Sequence, residues 1–421
     1  MTGKYGERGM EATKSLKNLE RRNRVLPLFL AGMVLVHIFV IWNARHLIRK
    51  GYPDFTIFYS AAKIVREGLG ARLYDPQVQY QVQLEFASGV SIRQGALPYN
   101  HPAFEALFFV PLTYLPYLTA FVIWDALNLV MLGLVLQCLR PHAPFLQRLG
   151  LGKAWFACLA FFPVCVALLQ GQDMILLLLL FALAFVSLKR GNDIAAGAWL
   201  GLGLFRFHLV LLLVLILLLR KRFKVLIGFA AIACFLMLVS VTIVGWPGML
   251  HYPQYVWYIE QTMGHGAIVP SDMPNLRGLI ASLLTDLLPK QLVLLVTALL
   301  SLAVITFVGL RQRMDRSVDL LNLAFSEWIL AVVLLSYHAF AYDLCLLLLP
   351  IVLVLDDLQR RPGADSVTRR LLLIPILILF FSPLQMALWL KLGQLSLLAT
   401  VLFTWLWGMT REIQRQEPQP S

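Results

Sequence analysis

Residues 194–224 read IAAGAWLGLGLFRFHLVLLLVLILLLRKRFK. From Ile194 to Leu219 the run is apolar apart from Arg206 and His208 at its middle, and it ends in the basic cluster Arg220-Lys221-Arg222-Phe223-Lys224. A helical crossing of a bilayer takes about 20 apolar residues, and Lys and Arg gather in the turns left in the cytosol. The stretch therefore reads as membrane-embedded helix closed by a cytosolic turn. A second basic pair, Lys189-Arg190, precedes it. Both clusters can be cytosolic only if the chain crosses twice, so the sequence predicts two short spans hinged at Phe205-Arg206-Phe207-His208 on the outer side.

The rest of the chain repeats this pattern. Of its 421 residues 59% are hydrophobic and only 14% charged, and its mean hydropathy is +0.74, whereas a soluble domain is about half apolar and a quarter charged. An ordinary soluble enzyme is excluded. The basic arm 1–25 is expected in the cytosol and the run Val25 to Trp42 is expected to be a retained first span. Residues 45–118 then form a long polar loop on the outer side, ending in an apolar stretch broken by Pro111 and Pro116 that should lie along the interface. Counting onward places 25 of the 36 Lys and Arg in inside turns. The resulting expectation is an all-α polytopic membrane protein of about twelve spans: one transmembrane domain over 26–410, a cytosolic tail 411–421, and both termini inside.

The excess of positive charge, +13, is scattered in these short turns, so it reads as a topology signal and no nucleic-acid partner is expected. The five cysteines sit singly in apolar runs and read as small core residues. No phosphate-cradling glycine loop, HExxH, CxxC or nucleophile elbow is present. With no seat for a soluble nucleotide-sugar, any donor is expected to be already in the membrane.

Ionisable residues at membrane depth cost a few kcal/mol each and are usually confined to cavities or substrate paths. Here they collect on the outer side of the expected topology. Asp54, in Gly51-Tyr52-Pro53-Asp54-Phe55, stands before a helical pattern over Phe55 to Glu67 and reads either as an N-cap or as a catalytic base. Asp75 reads more as a turn residue. Asp173, beside Gln172, reads as helix-start chemistry or as a ligand contact. Arg206 offers several fixed donors to a phosphate, with His208 beside it. His338 reads as a hydrogen-bonded interface residue or a site residue. Tyr59, Asn100, His101, Asn275, Arg277 and Asp343 complete the candidates. No Asp/Glu/His grouping of metal-binding spacing is evident in the sequence, so no metal and no cofactor is expected.

In order along the chain come Pro53-Asp54-Phe55, Tyr59-Ser60-Ala61-Ala62, Gly68 and Leu73-Tyr74-Asp75. Then follow Pro98-Tyr99-Asn100-His101-Pro102, Pro111-Leu112, Leu115-Pro116, Gly171-Gln172, Ala196-Gly197 with Gly201-Leu202-Gly203, and Ser336-Tyr337-His338 with Tyr342-Asp343. Taken together, over about residues 26–360, this order resembles the family-87 glycosyltransferases. The resemblance implies the GT-C architecture, an active site facing the periplasm of a bacterial-type plasma membrane, and a polyprenyl-phosphate sugar as donor, commonly mannose. It also implies that the family's first-loop acid corresponds to Asp54, its Gln motif to Gln172, its hinge base to Arg206 and its late His to His338. The chain departs from the family at His101-Pro102-Ala103, where consecutive prolines are common, and at Arg206-Phe207, where Lys-Pro is.

Transfer of a sugar from a lipid phosphate needs a base for the acceptor hydroxyl and cationic or hydrogen-bonding groups for the departing phosphate. The expected roles are Asp54 as base, Arg206 with His338 or His208 on the phosphate, and Gln172, Asn100 and His101 on donor hydroxyls, with inversion at the anomeric carbon. The partners expected are membrane lipid, a polyprenyl-phosphate hexose, and a glycolipid or glycan acceptor. A lipid or sugar transporter is the alternative, or another GT-C enzyme such as a glycan polymerase or ligase.

Overall fold

The computed structural model describes residues 3–89, 96–262, 269–310, 320–361, 363 and 365–416, with backbone alone for 3–25 and 260–262. The basic cluster Arg311, Arg313 and Arg316 lies outside the described residues, as does Arg93. Among the described residues every regular element is a helix. Hydrocarbon offers backbone N–H and C=O groups no partners, so an apolar run must satisfy them within itself.

Among the described residues five helices are long and apolar enough to cross a bilayer: Leu26–Arg49, Tyr117–Leu139, Asp193–Leu219, Phe223–Ile259 and Lys290–Leu310. Two bent pairs, Leu151–Leu159 with Phe162–Gln170 (68°) and Ser366–Phe380 with Ser382–Lys391 (67°), raise the number to seven if each counts once. The described residues thus hold five to seven candidate spans, and the sequence count of about twelve is not confirmed. Part of the difference lies in Met174–Lys189 and Leu321–Leu335, of 16 and 15 residues. At 1.5 Å per residue each falls short of the roughly 30 Å hydrocarbon layer. The second is buried along its whole length and the first along most of it, so their apolar side chains face protein. Periodicity cannot tell such a helix from a lipid-facing one, since both are apolar all round.

The expected hairpin at 194–219 is not formed. Asp193–Leu202 and Phe207–Leu219 are joined through the 3₁₀ turn Gly203–Arg206 and make one candidate span of 27 residues. The first half packs along Phe223–Thr262, the second against Lys290–Leu310 and Leu321–Leu335. Small residues decide the first contact: a Cβ on Gly197 would sit 1.9 Å from the Val225 carbonyl oxygen. The 3₁₀ turn tightens the winding without reversing the chain, so the basic clusters on either side of this stretch stand at opposite ends of one span.

The first loop is a platform rather than a tether. Helix Phe55–Arg66 buries Phe55, Phe58 and Tyr59. Phe58 stacks on Phe109 with centroids 4.8 Å apart, and Phe109 meets Trp124 of helix Tyr117–Leu139 at 4.6 Å. Each such aromatic contributes on the order of 1.5–3 kcal/mol by burial. Ala103–Tyr114, expected to lie along the interface, is a broken run of 3₁₀ and α turns that fills the gap between platform and bundle.

Candidate active site

Four interruptions in the helices meet: the start of the first-loop helix at Asp54, the turn Gly171-Gln172-Asp173, the 3₁₀ turn ending at Arg206, and the irregular segment from Ser336 to Phe340. Irregular backbone inside a membrane bundle persists where it lines a cavity, and these segments do. Asp54, Gln172, Arg206, His208, His338 and Tyr342 all face one cavity of ≈ 1420 Å³, with Asn100 and His101 beside them. That exceeds the few hundred to about 1,000 Å³ of a drug-sized site and gives room for a sugar, a phosphate and an acceptor group together.

Asp54 stands at the N-cap position in helical conformation (φ −62°, ψ −20°), yet its side chain makes no cap hydrogen bond. The carboxyl is directed across the cavity instead, where Oδ2 accepts from Gln172 Nε2 at 2.5 Å. The Asp54 backbone N–H donates to Gln170 Oε1 at 3.1 Å, which clips the loop to the end of helix Phe162–Gln170.

The turn that delivers Gln172 depends on a glycine. Gly171 is left-handed (φ +61°), and a Cβ there would lie 2.7 Å from Phe55 Cβ. Its carbonyl accepts from Trp124 Nε1 at 2.9 Å, and the Gln172 carbonyl accepts from Asn128 Nδ2 at 3.2 Å. With the backbone held, Gln172 and Asp173 both reach Arg206. The guanidinium donates through Nε to Asp173 Oδ1 at 2.7 Å, and a terminal nitrogen donates to Gln172 Oε1. Because a guanidinium only donates and a carboxylate only accepts, Gln172 can join them in one orientation alone. Arg206 also lies 5.6 Å from the Tyr342 ring, a cation–π contact.

Asp173 stands at the N-cap position of Met174–Lys189 without a side-chain cap hydrogen bond, and its carboxyl pairs with Arg206 instead. Burial pushes its carboxyl up to about 7 against the pull of Arg206. The buried Asp343 is likewise raised to about 7, first by burial, while its Oδ2 accepts the Phe340 backbone N–H at 2.6 Å. His338 and His208 face each other with ring centroids 6.0 Å apart. Burial, then Arg277 and Arg206, bring His338 down to about 3, which keeps its imidazole neutral near pH 7. His101 is lowered to about 3 as well, by burial and then Arg206.

Other candidates hold the frame. Tyr59 donates to the Leu115 carbonyl at 2.8 Å. Asp75 caps helix Pro76–Leu84 through the N–H groups of Gln77 and Val78 and pairs with Arg72. Asn275 caps Leu276–Leu284 and donates to the Ser336 carbonyl at 2.7 Å, while Arg277 donates to the Tyr337 carbonyl at 3.0 Å; both brace the segment bearing His338. Three residues near the site escaped the sequence reading as functional groups: Gln170, Tyr342 and Glu105. Tyr342 adjoins a candidate, and Glu105 stands four residues after His101, the spacing that puts two side chains on one helical face; Gln170 carried no such signal.

In comparisons with curated proteins and with solved structures, nothing matches the chain. The sequence model of glycosyltransferase family 87 matches residues 99–337, which takes in Gln172, Arg206 and His208 and stops one residue before His338. Asp54 precedes the matched stretch and is joined to it through Gln172. Over more than half its length the chain carries that family's pattern, and it belongs to glycosyltransferase family 87.

Proposed function

We propose that this membrane glycosyltransferase moves a hexose, mannose by the family resemblance, from a polyprenyl-phosphate donor to a hydroxyl of a glycolipid or glycan, with inversion. One observation carries the reading: a carboxylate and a guanidinium share a cavity wall and are held apart by one neutral amide. Asp54 is the base that takes the proton of the acceptor hydroxyl as that oxygen attacks the anomeric carbon. Arg206 receives the departing lipid phosphate, a bidentate partner suited to its fork, and stabilises the charge that grows there in an oxocarbenium-like transition state. His208 and the neutral His338 add hydrogen bonds, and Asn100 faces the sugar.

The side of the membrane follows from the first crossing. The arm 1–25 carries seven Lys and Arg, which hold it in the cytosol, and Asp54 comes five residues after span Leu26–Arg49. Both observations support a cavity opening on the outer face of a bacterial-type plasma membrane. Membership of a transferase family sets the transporter alternative aside.

The test uses the purified protein in lipid nanodiscs with a radiolabelled polyprenyl-phosphate mannose and a lipid acceptor. Wild type should form product of inverted anomeric configuration. Asp54→Asn, nearly the same shape, should keep its thermal midpoint and lose about 100-fold or more in rate. Undiminished transfer would remove Asp54 from the base role.

A further inference from the structure

Beside the cavity, which His101 lines, three buried side chains bring their ligand atoms together. His101, Glu105 and Asp173 each offer one ligand atom within 4.8 Å of the others. Glu105 Oε1, Asp173 Oδ2 and His101 Nδ1 have no hydrogen-bond partner among the described residues. His101 Nδ1 lies 2.7 Å from Glu105 Oε2, close enough to bond but without the geometry of a hydrogen bond. The three residues are 9%, 0% and 1% exposed.

The partners on the far side of each group point the same way. The Phe205 backbone acts on the His101 ring as a hydrogen-bond partner. Taken up by Nε2, that bond would leave the Nδ1 lone pair facing the carboxylates, the arrangement that second-shell bonds give a metal-ligating histidine. Asp173 gives one oxygen to Arg206 and keeps the other. Glu105 Oε2 accepts from the Tyr99 hydroxyl at 3.4 Å. A lone pair and two carboxylate oxygens converging in a buried pocket repel one another unless a positive species, a shared proton or a cation, lies between them. Burial raises the Glu105 and Asp173 carboxyls to about 7 and they lie within hydrogen-bonding reach of each other, so a divalent ion entering there would displace that proton and hold both as carboxylates.

We propose that His101, Glu105 and Asp173 bind a divalent cation beside the cavity. One imidazole nitrogen with two carboxylate oxygens suits Mn²⁺ or Zn²⁺; an all-oxygen set would suit Mg²⁺ or Ca²⁺. The ion tethers Asp173 from behind and so fixes the carboxylate that orients Arg206. What the ion does there rests on the transfer reading, whereas its binding does not.

The experiment uses no sugar donor. Full-length protein in nanodiscs is stripped with chelator, loaded with Mn²⁺ and desalted, and metal is measured by mass spectrometry and electron paramagnetic resonance. Wild type and Asp54→Asn should each retain about one Mn²⁺ per chain with a raised thermal midpoint. His101→Asn and Glu105→Gln should each weaken retention by at least about 10-fold. Spin-echo modulation from an imidazole nitrogen should appear in the wild-type protein itself, so the test survives a variant that does not fold. Metal at buffer level in wild type, equal retention in both variants, or no nitrogen modulation would each overturn the site. Binding that persists while Asp54→Asn still transfers sugar would separate this site from the catalytic reading.

Discussion

Gln172 Nε2 stands 2.5 Å from Asp54 Oδ2 while the oxygen of the same amide accepts from Arg206. A carboxylate and a guanidinium in one dry cavity attract strongly, and in direct contact each would satisfy the other. The amide between them keeps Asp54 and Arg206 from pairing directly, which the proposed transfer needs if the carboxylate is to meet a hydroxyl and the guanidinium a phosphate.

Gln172→Leu keeps the bulk and deletes both bonds. The expected outcome is a fall in kcat of about 100-fold, the scale of losing one preorganised donor, with a smaller change in KM. Steady-state transfer assays at saturating acceptor check it. A variant with wild-type kcat would show that the spacing has no catalytic value.

Arg206→Lys keeps the charge and loses the fork that reaches Asp173 and Gln172 together. It should lower kcat by about 10-fold or more while the protein still folds. Arg206→Ala should do more, because Asp173 is then buried without its partner, at about 3–5 kcal/mol. A drop in thermal midpoint in the alanine variant that the lysine variant does not share is the measurement.

Gly171→Ala tests the turn. The residue would need a left-handed backbone, at roughly 1–2 kcal/mol, and its methyl would press on Phe55 at 2.7 Å, adding about 1–3 kcal/mol of overpacking. The midpoint should fall clearly, and activity with it, since both Gln172 and Asp173 ride on that turn.

His338 gives a dependence on pH. Its ordinary value is 6.5 and burial lowers it to about 3 in the folded protein, so between those values the unfolded chain binds a proton that the folded one refuses. Its contribution to stability therefore falls as the pH drops from 6.5 toward 3. His338→Gln, which cannot titrate, should make the decline of the thermal midpoint from pH 7 to pH 5 shallower. It should also keep more activity than His338→Ala, as expected of a neutral hydrogen-bonding group. An equal loss in both variants would count against that role.

The membrane class, the first crossing and the convergence of Asp54, Gln172, Arg206 and His338 were legible because each rests on local chemistry: apolar length, a basic arm, and polar residues where helices break. The number of crossings was not, since Leu321–Leu335 is as apolar as a lipid-facing helix yet is enclosed by protein. The hairpin expected at 194–219 failed because charge counting says nothing of Gly197 packing against Val225, a contact between helices. That the Asp54 side chain leaves the cap unbonded and meets Gln172, 118 residues away in the sequence, could not be read locally. Glu105 was hidden by its apolar neighbours, although its spacing from His101 was in view.

Asp54 and His338 are separated by 284 positions in the chain, and the pieces between them arrive from four separate interruptions. During synthesis the growing polypeptide therefore displays a lone acid on an aromatic shelf long before anything exists to grip a donor. A ribosome would have to deliver the segment past Ser336 before the pieces could meet. A copy that ended before that segment would lack one wall of the cavity.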